Sequence, residues 1–151
     1  PKAWIVGNAK SVETQRESLM ETLLNGFDPS NTAIIFKYQG ESLEGMASGQ
    51  VDVISRTENK INIMSQSETG GLLVLSEIYY KPGWRAYVNG EETPVYQTNH
   101  ILRSIYVPSG EHQIEFRYDD SSWKQTRIVS RVSFLAIIFG FGFILWKEKE
   151  N

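Results

Sequence analysis

The chain alternates short apolar runs with strong turn signals. Leu72 to Ile78 begins as an unbroken apolar run, which predicts a central strand covered on both faces. Lys81-Pro82-Gly83 turns the chain, Trp84 to Val88 follows, and Asn89-Gly90 is a two-residue hairpin signal, because a type I′ turn needs positive φ at both positions. That turn fixes a register in which Val88 faces Glu91, Tyr87 faces Glu92, Ala86 faces Thr93 and Trp84 faces Val95. Trp84, Ala86 and Val88 then share one face, with Arg85 and Tyr87 on the other. Pro94 cannot donate a ladder hydrogen bond and predicts an edge or a bulge. Ile101 to Tyr106 alternates, Pro108-Ser109-Gly110 turns, and His112 to Tyr118 is the last strand, with Ile114, Phe116 and Tyr118 on one face.

Upstream, Lys2 to Val6, with its Ala-Trp-Ile-Val stretch, has strand character and Gly7-Asn8 breaks it. The spacing predicts an amphipathic helix over 12–24, capped by Ser11, with Glu13 in its first turn and Asn25-Gly26 as its stop. Leu19 with Leu23 and Met20 with Leu24 form its apolar stripe. Thr32 to Tyr38 is a β-branched and aromatic strand, and residues 39–50 read as a loop. Val51, Val53 and Ser55, a turn at Glu58-Asn59-Lys60, then Ile61 and Ile63 give a hairpin with one face to the core. Seven or eight short strands predict a mainly β domain, an antiparallel β-sandwich of jelly-roll or Ig-like type, over residues 1–122.

The tail breaks this pattern. Val132 to Trp146 carries no charge and is apolar on every face, and Lys-Glu-Lys-Glu-Asn follows it. A bilayer span needs about 20 apolar residues, reached here by counting back to Ile128 with Arg131 snorkelling to the headgroups. Residues 123–151 are therefore expected to be a C-terminal transmembrane helix with a polar stop. Its contact with membrane lipid would run through Val132–Trp146.

Composition narrows the function classes. The net charge of −3 argues against nucleic acid as a partner, which would need a basic face. Cysteine is absent, so no disulfide and no Cys-based metal site or nucleophile can form. His100 and His112 match no metal-ligand spacing. With Pro1 in place of Met, the chain is expected to be a fragment of something longer in preference to a processed product.

The stretch Leu75 to Gly90, with Glu77-Ile-Tyr-Tyr-Lys-Pro-Gly-Trp at its centre, resembles the C-terminal region of the YfhO family of bacterial membrane proteins. Pro108, Gly110, His112, Ile114, Phe116 and Tyr118 continue the resemblance, and the apolar tail completes it. Lys81 is an insertion against the family pattern and lengthens one turn by a residue. The resemblance implies a polytopic protein with a glycosyltransferase-C-like membrane core. Such proteins move sugars from a polyprenyl-phosphate donor onto cell-surface polymers. It also implies that the catalytic acid sits in an early exocytoplasmic loop outside this chain. This chain would be a non-catalytic exocytoplasmic domain plus the last span, partnered by the rest of the polytopic chain and needing no cofactor. Charge alone points the other way for orientation, since Lys124, Arg127 and Arg131 precede the span and only Lys147 and Lys149 follow it.

No catalytic constellation stands out. Glu77, at the end of an apolar strand, reads either as a general base or glycan ligand or as a structural acid paired with Arg85 or Arg103, because burying a lone carboxylate is costly. Tyr79, Tyr80, Trp84, Tyr87 and Tyr96 form a dense aromatic cluster. With Gln97, Asn99 and Arg103 they read either as a sugar-stacking platform or as ordinary sheet packing. The residues expected to contact a glycan or a polyprenyl-phosphate-linked sugar are Tyr80, Arg85, Tyr87, Glu77, Asn99 and Arg103. A membrane-anchored adhesion or carbohydrate-binding module with no enzyme attached is the competing reading.

Overall fold

The computed structural model describes residues 2–24, 26–40, 43, 45, 49–119, 126, 127 and 129–140. The chain separates into two units, Pro1–Tyr118 and Asp119–Asn151.

The first unit holds eleven strands among its described residues: β1 (Ala3–Val6), β2 (Asn8–Val12), β3 (Thr32–Phe36), β4 (Gly49–Arg56), β5 (Lys60–Ser67), β6 (Gly71–Ile78), β7 (Trp84–Val88), β8 (Glu91–Thr93), β9 (Tyr96–Thr98), β10 (Leu102–Val107) and β11 (Gly110–Tyr118). They form a six-stranded sheet in the order β1-β6-β10-β9-β3-β2 and a five-stranded sheet in the order β4-β5-β11-β7-β8. A mainly β, two-sheet architecture is thus present, with more strands than the pattern predicted. It is not wholly antiparallel, because β2 pairs in parallel with β3. That parallel pair is joined through helix α1 (Gln15–Leu23), as a parallel connection requires.

Only Gly7 separates β1 from β2, yet the two strands lie at opposite ends of the six-strand order. The sheet must therefore curl until its ends meet, with one long strand bent at Gly7 serving both. This curl gives the six-stranded sheet two buried faces. One faces the second sheet: Ile5, Leu73, Leu75, Ile105 and Val107 pack with Ile61, Ile63, Ala86, Ile114 and Phe116. The other is enclosed by the curl and holds Val6, Ala33, Ile35, Leu72 and Val74. The unbroken Leu72–Leu75 run is a central strand with two cores, since alternate side chains enter different ones.

The Asn89-Gly90 hairpin has the predicted register from Val88–Glu91 to Ala86–Thr93, with φ of 52° at Asn89 and 89° at Gly90. The Trp84–Val95 pair does not form. β8 ends at Thr93, and after Pro94 the chain leaves the five-stranded sheet to enter the other as β9. Trp84 instead pairs with Tyr118 in β11, and Trp84 and Val95 both pack at the margin of the inter-sheet core.

The helix differs from expectation at its start and in its orientation. Residues 8–12 are strand, and the cap is Thr14, whose hydroxyl accepts from the Glu17 amide at 3.1 Å while Glu17 Oε2 accepts from the Thr14 amide at 3.1 Å. This reciprocal capping box outcompetes a Ser11 cap because it satisfies two orphan donors at once. Ser18 is the helix's buried residue, while Leu19, Met20, Leu23 and Leu24 are exposed. The predicted stripe therefore faces away from the sheet.

In the second unit, residues 126, 127 and 129–140 are helical. No helix among the described residues is long and apolar enough to cross a membrane. The predicted span over Val132–Trp146 lies only in part within the described residues, and residues 141–151 fall outside them.

Candidate functional site

A cleft of about 600 Å³ opens on the sandwich unit. Three segments of chain build it, each at a place where the chain leaves a sheet. The end of β3 supplies Phe36 and Lys37. The β6–β7 connection, which crosses between the sheets, supplies Tyr79 and Lys81 to Gly83. The crossing back from β8 to β9 supplies Pro94 and Val95. Trp84, Arg85, Glu92, Tyr96 and Gln97 complete the lining.

The walls are aromatic and held in place. The Trp84 ring meets Tyr118 edge-on, with centroids 5.7 Å apart. Tyr96 meets Tyr38 edge-on at 4.9 Å. Burial raises the phenol pKa of both Tyr79 and Tyr96, so both rings stay neutral donors near neutral pH. Gln97 is held by a reciprocal amide pair with Gln15, at 2.8 and 3.1 Å, and donates to the His100 carbonyl. Arg85 pairs with Glu92 at 2.9 Å on the rim. Lys37 sits at φ 50°, with its ammonium 5.3 Å from the Phe36 ring.

Behind Trp84 lies a second constellation. Arg103 of β10 is almost wholly buried, and its guanidinium carbon is 4.1 Å from the Trp84 centroid and 5.6 Å from that of Phe116. Glu77 stands 3.7 Å from Arg103 and 2.6 Å from Arg56. Burial pushes the Arg103 pKa down to about 10, with Glu77 opposing the fall and Arg56 adding to it. Its Nε and Nη1 lack a hydrogen-bond partner among the described residues. Aromatic faces partly compensate, since they attract a cation they cannot hydrogen-bond.

The six residues singled out from sequence do not converge. Glu77 and Arg103 come together as the structural pair, with Arg56 as the unforeseen third member. Arg85 reaches the cleft. Tyr87 stacks under Arg117 at 4.6 Å, away from that cleft's lining. Tyr80 is exposed in the β6–β7 turn. Asn99 is buried: its side-chain oxygen accepts from the Ile34 backbone amide at 2.9 Å and its backbone N–H donates to the Ile34 carbonyl at 2.7 Å. It thus extends the β3–β9 pairing. Lys37, Lys81 and Glu92 were missed as cleft residues, and nothing in local sequence pattern signals them. His112 bonds Asn89 at 2.9 Å and the Ser109 carbonyl at 3.1 Å, and no metal-binding group occurs among the described residues.

The family model described as bacterial membrane protein YfhO matches residues 39–130. The chain belongs to the YfhO family. No curated protein and no solved structure matches it. The YfhO match begins after β3 and takes in β4 to β11, so it covers the whole five-stranded sheet and the greater part of the cleft wall. It then continues into the helical residues of the second unit. The Glu77–Arg103 pair and Trp84 all lie within it.

Proposed function

We propose that this chain is the non-catalytic exocytoplasmic domain and last membrane span of a polytopic protein resembling lipid-linked-sugar glycosyltransferases. In this reading the sandwich supports glycosylation of cell-surface polysaccharide or teichoic-acid-type polymers outside the bacterial cytoplasmic membrane, and the catalytic acid lies elsewhere in the full protein. The observation that carries it is the family match to a bacterial membrane protein, which runs from residue 39 through the sandwich to residue 130, at the threshold of the apolar tail. The tail itself supports a span. Val129, Val132, Phe134, Leu135, Ile137, Ile138 and Phe139 are all exposed on one short helical stretch. Such a helix needs an apolar surround on every side, and the sequence stays apolar to Trp146.

This chain has no cysteine, so a thiol introduced into it is the one the chain itself presents for labelling. Glu68→Cys, in an exposed turn, is expected to react with a membrane-impermeant maleimide on intact cells. Reaction only after lysis would overturn the exocytoplasmic placement. Deleting residues 1–118 from the full-length protein is expected to lower sugar decoration of the surface polymer. Unchanged decoration would overturn the supporting role.

A further inference from the structure

The two ends of the first unit differ in kind. At one end the turns are short and polar: Glu68-Thr69, Asn89-Gly90 and Pro108-Ser109. Ser67 pairs with Gly110 there, and His112 bonds both Asn89 at 2.9 Å and the Ser109 carbonyl at 3.1 Å. At the other end the turns expose large apolar side chains. Ile78 is 70% exposed, Ile101 54% and Tyr80 52%. Backbone hydrogen bonds hold the three together. Ile78 closes β6 opposite Leu102, the Tyr79 amide donates to the Ile101 carbonyl at 2.7 Å, and the Tyr80 carbonyl accepts from the Gly83 and Trp84 amides at 3.3 Å. Asn99 and His100 are both left-handed, at φ 46° and 68°, and form the tight turn that leads into Ile101. Asn99 also ties this end to Ile34, near the start of β3, and the connection into β3 begins with the exposed Leu23 and Leu24. Single exposed apolar residues are ordinary, but a patch gathered at one end marks a contact surface.

This is also the end at which the chain leaves the sandwich. Trp84, directly after the β6–β7 turn, pairs with Tyr118, the last residue of the first unit. Ile128, where the apolar tail is counted to begin, lies ten residues beyond Tyr118. Even fully extended, that tether reaches at most about 35 Å. We infer that this end docks on the lipid bilayer, with Ile78, Tyr80 and Ile101 set into its interfacial zone. The inference rests on the proposed membrane span, and names the surface by which the sandwich itself would touch the membrane. Isoleucine gains by leaving water for the boundary of the acyl chains, and a tyrosine ring suits the same depth with its hydroxyl among the headgroups. The neighbouring charges fit. Lys81, exposed beside Tyr80, can reach lipid phosphates, while the Glu77 carboxylate beside Ile78 is engaged by Arg56 at 2.6 Å.

The test uses the full 151-residue chain, reconstituted in vesicles of phosphatidylcholine and phosphatidylglycerol. An environment-sensitive fluorophore is placed on Ile78→Cys, Ile101→Cys or, at the polar end, Glu68→Cys. Phospholipid carrying a nitroxide just below its headgroup is expected to quench the probes at 78 and 101 and to leave the probe at 68 at full intensity. Because the probe is itself apolar, a second measurement places it on Tyr80→Cys with and without Ile78→Asn/Ile101→Asn. Both isoleucines are exposed, so these substitutions leave the fold intact, and the quenching at 80 is expected to be largely lost with them. Probes at 78 and 101 quenched no more than the probe at 68, or quenching at 80 undiminished by the two asparagines, would overturn the docking. Such a failure in a chain that stays in the vesicles through an alkaline wash would leave the proposed span standing. A chain extracted by that wash would overturn the span and, with it, the docking that rests on it.

Discussion

The Arg103 guanidinium carbon lies 4.1 Å from the centre of the Trp84 ring, and the two residues belong to different sheets. A buried cation thus clamps the sandwich by its contact with an aromatic face, and Glu77 supplies the counter-charge at 3.7 Å. Removing Glu77 leaves the cation buried without that counter-charge. Glu77→Ala is expected to cost about 2–3 kcal/mol, below the range for a fully buried pair because Glu77 is partly open to solvent and shared with Arg56. Arg103→Met fills much of the same volume with no charge to desolvate, and is expected to cost less than Arg103→Ala. Urea unfolding followed by tryptophan fluorescence gives the order, and equal losses in the two Arg103 variants would contradict it.

Thr14→Ala removes the hydroxyl that accepts from the Glu17 amide. The expected loss is about 1 kcal/mol, measured by the same unfolding curves. Ser11→Ala should change stability by less, since Ser11 lies in β2 and not at the helix start.

The exposed stripe of α1 makes the opposite kind of prediction. Leu23 is 68% exposed and Met20 is 55% exposed. Leu23→Ser and Met20→Gln are expected to change stability by no more than about 0.5 kcal/mol. A loss above about 1.5 kcal/mol would show that the stripe packs against something within the chain.

Tyr79 and Tyr96 have phenol pKa values raised by burial. A group whose folded pKa is raised contributes stability that is fully present below the unfolded pKa of about 10 and is lost as pH rises through the folded value. Stability should therefore fall above pH ~10, and Tyr79→Phe should blunt that fall. Absorbance titration at alkaline pH should show late-ionising phenols in the parent chain and one fewer in the variant.

Sequence pattern carried the strands well, because alternation and turn chemistry are local. The hairpin at Asn89-Gly90 was legible to the register because only glycine and a few polar residues tolerate positive φ in succession. The helix was misjudged for a related reason. Ser11 reads as the cap from pattern alone, and only the Glu17 side chain returning to the Thr14 amide moves the helix start to Thr14. The direction of the Leu19–Leu24 stripe depends on where α1 sits between the parallel strands β2 and β3, which periodicity does not report. Periodicity likewise registered that Leu72–Leu75 is covered on both faces but not what covers it. The cleft was the least legible feature. Its aromatic residues stood out by density, whereas Lys37 lies more than forty residues from Lys81 in sequence and meets it only through the sheet crossings.

The bend at Gly7 has a consequence for how copies of this domain meet. Each half of that bent strand pairs on one side only, β1 with β6 and β2 with β3, and the halves are four and five residues long, so either edge offers a neighbour only a short run to extend. In the other sheet one outer strand is only the three residues Glu91–Thr93, two of them charged, with Pro94 directly after. The other outer strand of that sheet is the eight-residue β4, so it is the edge along which a strand from a neighbouring copy would have the longest run to pair.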